Sequence, residues 1–331
     1  MRIPGRVTIG IPTFNRRNIL MRAVRSSLSQ TYDNVEVLVS DDASTDGTFE
    51  ELSTIKDQRL VVYRQEKNLG MVGNFDFCLR NATGEFFLLL GSDDVLFPTA
   101  IERLVQPFKT APKGLPSESI GLVWCTCRIA GIDGDQFWIT EGGPEIESPA
   151  DWLAGLWKGN RGPRFSGILL RTEDALAVGG YQTRYGDVCD IANYGPAALR
   201  RDYVVCVHDP VVQYTNHSGS CTGNSVVKKW QEWMELVHQD VVARAQARGN
   251  KEWERTLRKA RTDCLSSITL TCIVQMIGRP GWLRDCIYEA FRRPGPFLTG
   301  YMLRRLWKDG WKVVRVPRTP KHVEQKASGV A

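Results

Sequence analysis

Short apolar runs alternate with helical patterns through the first hundred residues, and this order limits the possible folds most strongly. Four strands are expected, at 7–11, 35–39, 60–63 and 86–90. Three helices are expected between them, at 19–28, 46–55 and 70–81. Pro12 is expected to end the first strand. A repeated strand, helix, strand order implies parallel strands covered by helices on both faces. The sequence therefore predicts an α/β fold with a doubly wound, mainly parallel sheet.

The rest of the chain has a different pattern. A helix is expected from Pro98 to about Phe108, and short β-like runs separated by Gly-rich turns follow it. From Val226 onward the apolar residues repeat with a helical period, and the last residues have the character of a disordered tail. We therefore expect an α/β domain at 1–222, with two halves at 1–110 and 111–222. A helical C-terminal extension is expected at 223–315 and a disordered tail at 316–331.

Composition excludes several classes of protein. A chain of 331 residues with 42% apolar residues can bury one large core or two ordinary ones. The nine cysteines are an odd number and never have C-x-x-C spacing, so buried, reduced thiols are expected rather than disulfides or a zinc site. The N-terminus lacks the pattern of a secretory signal, and no uncharged run is long enough to span a bilayer. These features predict a cytoplasmic protein.

Positive charge is concentrated near the C-terminus. The range Met276 to Lys321 contains eleven Arg and Lys residues against three acidic residues, whereas the whole chain has a net charge of +6. Aromatic residues are interleaved with these cations. Such a segment can dock on an anionic membrane surface, which would place the protein on the inner face of the membrane, or it can pack on the rest of the chain. Nucleic acid is not an expected partner, because no recognition motif accompanies the charge.

Acidic loops follow the strands at the edge where parallel sheets bind ligands. Asp93 and Asp94 come directly after a buried strand, and their like charges oppose each other's ionisation. A hard divalent cation, Mg²⁺ or Mn²⁺, that bridges to nucleotide phosphates would relieve this repulsion; a turn followed by a helix N-cap is the alternative. Asp41 and Asp42 also lie at a strand end, where an acceptor suits a nucleobase N–H or ribose hydroxyls.

Four motifs follow one another along the first hundred residues. They are Pro12-Thr13-Phe14-Asn15-Arg16, Ser40-Asp41-Asp42-Ala43-Ser44-Thr45-Asp46-Gly47-Thr48, Asn68-Leu69-Gly70 with Asn74, and Gly91-Ser92-Asp93-Asp94. Together they resemble family 2 glycosyltransferases of the GT-A fold, strongly over 6–108 and weakly to about 222. The resemblance implies inverting, metal-dependent transfer of a hexosyl or deoxyhexosyl group from a nucleotide sugar to an acceptor hydroxyl. It also implies that 1–110 binds the donor and 111–222 the acceptor.

The resemblance assigns roles to individual residues. Thr13 and Asp41 would contact the nucleobase, and Asp93 the ribose or the metal. Residues expected to bind the nucleotide sugar are Pro12, Thr13, Asn15, Arg16, Asp41, Asp42, Asn68, Gly70, Asn74, Ser92 and Asp93. Expected metal ligands are Asp94, Asp93 and His217, the last in an element that resembles the family's His-x-x-Ser. Four of these residues have an alternative role. Asn68 and Asn74 would instead hold backbone turns, Arg16 would lie on the solvated surface, and His217 would be a structural histidine.

The sequence offers two candidates for the general base. The family usually has an acidic pair after a Gly-Gly-aromatic turn, and here Gly179-Gly180-Tyr181 is followed by Asp187 and Asp190, which are not adjacent. Alignment of the following Tyr194 and Leu199 with the family's aromatic residue and leucine favours Asp190, whereas counting from Gly180 leaves Asp187 open.

The resemblance leaves the acceptor and two rival functions open. The acceptor would be a lipid-linked glycan or a small-molecule aglycone, in polysaccharide, glycolipid or natural-product assembly. Because the acidic pair is broken, a non-catalytic nucleotide-sugar-binding protein is one rival. A sugar-phosphate nucleotidyltransferase is the other, although it would need a Gly-rich first loop with Arg or Lys, and 12–17 is not such a loop.

Overall fold

A computed structural model describes residues 2–131, 137–215 and 227–265. Its strands are β1 Ile3–Thr13, β2 Val35–Asp41, β3 Leu60–Arg64, β4 Gly84–Leu89, β5 Val95–Leu96, β6 Ile120–Ala130, β7 Phe137–Ile139, β8 Ile146–Glu147, β9 Ile168–Arg171 and β10 Tyr203–Thr215. Its helices are α1 Arg17–Leu28, α2 Thr48–Leu52, α3 Gly70–Asn81, α4 Ala100–Lys109, α5 Pro149–Trp157, α6 Thr172–Ala177, α7 Cys189–Ala198, α8 Val227–Ala247 and α9 Lys251–Lys259.

The strands form one mixed sheet in the order β3-β2-β1-β4-β9-β6-β10-β5, with β7 beside β6 and β8 beside β10. The first four strands in this order are parallel to one another, and so are β6 and β10. Strand β9 lies antiparallel between β4 and β6 and joins the two parallel groups. The predicted α/β fold with a mainly parallel sheet is confirmed.

Strand β1 continues past Pro12, contrary to the sequence-based expectation. Pro12 pairs with Ser40 of β2, and Thr13 pairs with Asp41. The Gly10 carbonyl accepts from Leu90 N, so the backbone polar groups of Gly10 face β4. Residues two apart in a strand face the same side, so the nitrogen of Pro12 also points to the β4 side, at a level past the last residue of β4. A proline is tolerated there because pairing with β2 continues without its nitrogen, through Thr13, whose carbonyl accepts from Asp42 N.

Both faces of the sheet are buried. In β4, Phe87 and Leu89 belong to one apolar cluster, and Phe86 and Leu88 belong to the other. The strand therefore reads as a continuous apolar run, as expected for a strand covered on both faces. Helices α8 and α9 pack into the Phe87 cluster through Met234, Val237, Val241, Trp253 and Leu257. The domain boundaries given by the sequence stay a prediction, because 216–226 lies outside the described residues.

Several sequence predictions concern residues that the structure does not describe. His217, the basic segment 276–321 and the tail 316–331 are all among them. In the described ranges, six cysteines are buried and free, as expected. No helix within these ranges combines the length and apolar character needed to cross a bilayer.

Candidate functional site

The loops that follow β1 and β2 are joined by hydrogen bonds at the carboxyl edge of the sheet. Asn15 N donates to Ser44 Oγ at 2.8 Å, and Thr45 N donates to Asn15 Oδ1 at 2.9 Å. Asn15 and Ala43 both adopt left-handed backbone conformations, with φ of 50° and 62°. The side chain of Asn15, expected to bind the nucleotide sugar, thus holds the two loops together.

Three buried polar atoms at this edge have no hydrogen-bond partner among the described residues: Thr13 Oγ1, Asp41 Oδ2 and Asn74 Oδ1. Their residues are adjacent, because Thr13 pairs with Asp41 and Asn74 Nδ2 donates to Ser40 O at 3.0 Å. Leaving such atoms unpaired costs about 1–3 kcal/mol each. A ligand with complementary groups would satisfy them.

Asp42 and Asn68 shape the turn before α3. Asp42 accepts from Leu69 N at 2.7 Å and from Gly70 N at 3.1 Å, and burial raises the pKa of its carboxyl. Asn68 Oδ1 also accepts from Gly70 N, at 2.8 Å, and Gly70 has a φ of +74°. These contacts give Asp42 and Asn68 structural roles at this turn, and their contacts with the nucleotide sugar stay a prediction.

The two carboxylates after β4 converge on Gly91. A Cβ at this position would lie 2.8 Å from Asp94 Oδ2 and 2.9 Å from Asp93 Oδ1, so only glycine leaves room for both. Ser92, between Gly91 and Asp93, is buried. Asp93 is 20% exposed, and its Oδ2 pairs with Arg16 Nη1 at 3.1 Å. Arg16 therefore lies within the site rather than on a solvated surface.

Asp94 is almost completely buried, and both of its oxygens have partners. Oδ1 accepts from Thr215 N at 2.8 Å, and Oδ2 accepts from Ser166 Oγ. Burial, together with the charge of Asp93, raises the pKa of Asp94 to about 7. Asp94 thus fixes the end of β10, a structural role that was not among those expected from the sequence.

The residues present fit a hard divalent cation in part. No three His, Cys, Asp or Glu side chains gather into a metal site within the described ranges. Mg²⁺ and Mn²⁺, however, need only one or two carboxylates when phosphate oxygens complete the shell. Asp93 offers the accessible carboxylate, and Asp94 lies beside it. His217, the third predicted ligand, lies outside the described residues.

The candidate bases lie in different surroundings. Asp190 is in the first turn of α7, where its Oδ1 accepts from its neighbour's amide, Ile191 N, at 2.7 Å. Burial raises the pKa of Asp190 to about 6. Asp187 is exposed, and its Oδ2 accepts from Trp230 Nε1 at 3.2 Å. A carboxyl group with a pKa near neutrality is suited to proton transfer, so Asp190 is the candidate base that we consider further below.

Sequence reasoning missed two residues before β9, Arg164 and Ser166. Ser166 Oγ donates to Asp94 and accepts from Gly91 N at 3.1 Å. The positive charge of Arg164 lowers the pKa of both Asp94 and Asp190 against the effect of burial. No motif in the sequence singles out this loop, because the fold alone brings it to the site.

The mixed α/β sheet, covered by helices on both faces and with paired carboxylates at its carboxyl edge, is similar to the GT-A fold. Residues 8–119 match the family model described as Glycosyl transferase family 2. The chain is therefore similar to family 2 glycosyltransferases over this part of its length.

Curated relatives match part of the chain. One is the UDP-Glc:alpha-D-GlcNAc-diphosphoundecaprenol beta-1,3-glucosyltransferase WfaP of Escherichia coli, 34% identical over 104 residues that cover 31% of this chain and 41% of WfaP. Another is the uncharacterized glycosyltransferase alr2836 of Nostoc sp., 31% identical over 174 residues, or 51% of each chain. The matches thus span about half or less of the length of these relatives.

A solved structure has a similar fold over most of the chain. It is S. aureus TarS 1-349 in complex with UDP-GlcNAc, with a TM-score of 0.57 at 16% identity, covering 87% of this chain and 92% of that one. At this identity the similarity concerns the fold alone.

Proposed function

We propose that the protein is an inverting, metal-dependent glycosyltransferase that moves a sugar from a nucleotide sugar to an acceptor hydroxyl. One observation supports the proposal: the positive charge of Arg164 lowers the pKa of both Asp94 and Asp190, and Ser166, in the turn that follows Arg164, donates a hydrogen bond to Asp94. The carboxylates that would serve the diphosphate and the carboxylate that would serve the acceptor therefore belong to one site.

In the proposed reaction, Asp190 removes the proton of the acceptor hydroxyl as its oxygen attacks the anomeric carbon. A single displacement of this kind inverts the anomeric centre. Thr13 and Asp41 would hold the nucleobase through their unpartnered atoms. Bound Mg²⁺ or Mn²⁺, held by Asp93 with Asp94 beside it, would neutralise charge on the departing diphosphate.

UDP-sugars are the donors to examine first, because WfaP is named for UDP-Glc and the TarS structure contains UDP-GlcNAc. The test is release of UDP from these donors by the purified chain, with and without Mn²⁺. Metal-dependent release supports the proposal. Binding without release would instead indicate a nucleotide-sugar-binding protein, and consumption of a nucleoside triphosphate with a sugar phosphate would indicate a nucleotidyltransferase.

A lipid-linked glycan is the acceptor we favour, because the name of WfaP includes a diphosphoundecaprenol acceptor. The basic segment 276–321 would bring the site to such a lipid by docking on an anionic membrane, at about 1 kcal/mol per Lys or Arg near the surface. We expect the full chain to co-sediment with anionic vesicles at low salt, and not with neutral ones. Equal partitioning to both would contradict docking and favour a small-molecule aglycone as acceptor.

The pH dependence of turnover follows from the raised pKa of Asp190. The base must be deprotonated to accept a proton, so kcat/KM should rise with pH and level off above about 6, the pKa of this carboxyl. Below that pH, the rate should fall about tenfold per pH unit. Initial rates measured between pH 4.5 and 8 would show this fall of kcat/KM at acidic pH. A rate that stays flat down to pH 5 would contradict the assignment.

A further inference from the structure

Arg164 is held beside Asp94 by the turn that begins with it. The residues Phe165–Gly167 form a 3₁₀ turn, and Gly167 N donates to Arg164 O at 2.8 Å. Ser166, within this turn, donates to Asp94 and accepts from Gly91 N. The backbone of Arg164 is therefore fixed two residues from a side chain that touches the acidic loop after β4.

A second contact orients the side chain of Arg164. Its Cζ atom lies 5.3 Å from the ring centroid of Tyr214, in cation–π geometry. Tyr214 precedes Thr215, whose amide donates to Asp94. The guanidinium is thus tethered to the surroundings of Asp94 from two sides, through the turn before β9 and through the end of β10.

The charge of Arg164 is accessible. The residue is exposed, and no carboxylate of the described residues comes within ion-pair distance of it. Arg16, the other arginine at this edge, is already paired with Asp93. A guanidinium has several donors in a planar fork that matches phosphate oxygens, which makes arginine suitable for binding a diphosphate.

We propose that Arg164 binds the diphosphate of the donor and remains bound to it as it leaves. This inference rests on the proposed function. In the step, the acceptor oxygen forms a bond to the anomeric carbon while the bond from that carbon to the β-phosphate oxygen breaks. The electron pair of the broken bond goes to the diphosphate, beside Arg164, and the acceptor proton goes to Asp190.

The test compares the affinities of UDP and UMP for the wild-type chain, Arg164→Gln and Arg164→Lys by titration calorimetry with Mn²⁺. We expect Arg164→Gln to weaken UDP binding about tenfold or more and UMP binding less than threefold, on the usual scale of a hydrogen bond to a charged group. Arg164→Lys should recover part of the loss, because it keeps the charge without the fork. Arg258→Gln is the matched control, since this exposed arginine pairs with Glu254 on α9 and should change neither affinity.

Two results would overturn the role of Arg164. One is an unchanged UDP affinity in Arg164→Gln together with a fall of kcat/KM that begins at higher pH than in the wild type. This result would mean that Arg164 only lowers the pKa of Asp190. An equal loss for UDP and UMP would mean that it only supports the fold of the site. Failure of the wild-type chain to bind any nucleoside diphosphate would instead contradict the proposed function itself.

Discussion

Replacement of Asp190 by asparagine should lower turnover by roughly 10²–10⁴-fold, the usual scale for a missing general base, and change donor affinity by less than about threefold. The variant keeps the shape of the side chain and the contact with the amide of Ile191, but it cannot accept a proton. Initial rates and UDP-sugar titrations with the purified variant measure the two effects separately.

The matched control is Asp187→Asn, which removes an exposed carboxylate three residues earlier in the chain. Its side chain can still accept from Trp230 Nε1, so we expect turnover within about threefold of wild type. A large loss in Asp187→Asn together with a small loss in Asp190→Asn would move the role of base to Asp187.

Asp93→Ala should lower metal-dependent turnover about 100-fold or more, because charge stabilisation by a metal ion is worth several kcal/mol. The free energy of unfolding should change little, since Asp93 is partly exposed and a partly exposed ion pair such as the one with Arg16 contributes about 0–1 kcal/mol. Rates at graded Mn²⁺ concentrations and urea unfolding measure these effects.

Asp94→Ala is the comparison that separates metal binding from structure. It leaves Thr215 N and Ser166 Oγ without their acceptor in a buried place, so the free energy of unfolding should fall by about 1–3 kcal/mol. Equal stability of the two variants would contradict the structural role of Asp94. Wild-type turnover and metal dependence in Asp93→Ala would remove Asp93 from the metal site.

The sequence predicted the parallel half of the sheet well, for a physical reason. Strands such as β4 are buried on both faces and read as unbroken apolar runs, and helix α3 has the predicted bounds Gly70–Asn81. The prediction that Pro12 ends β1 was wrong. Pro12 lies where β1 no longer pairs with β4 but still pairs with β2, and the sequence does not reveal which neighbouring strand ends first.

The site was predictable only where its residues follow strands in a motif. Thr13 and Asp41 are the last residues of β1 and β2, and Asp93 lies in the loop after β4, so the structure brings all three to one edge of the sheet. Asp42 accepts hydrogen bonds from the amides of Leu69 and Gly70, which lie 27 and 28 residues later in the chain. The positions of these residues in the sequence do not reveal that contact. Arg164 and Ser166 reach Asp94 only because β9 enters the sheet antiparallel beside β4.

The most direct test of the account is a crystal structure of the full chain with a UDP-sugar and Mn²⁺. We predict the nucleobase at Thr13 and Asp41, the diphosphate between Asp93 and Arg164, and the carboxylate of Asp190 on the side of the anomeric carbon opposite the diphosphate. A nucleotide bound away from the carboxyl edge of β1, β2 and β4, or an anomeric carbon that Asp190 does not face, would contradict it.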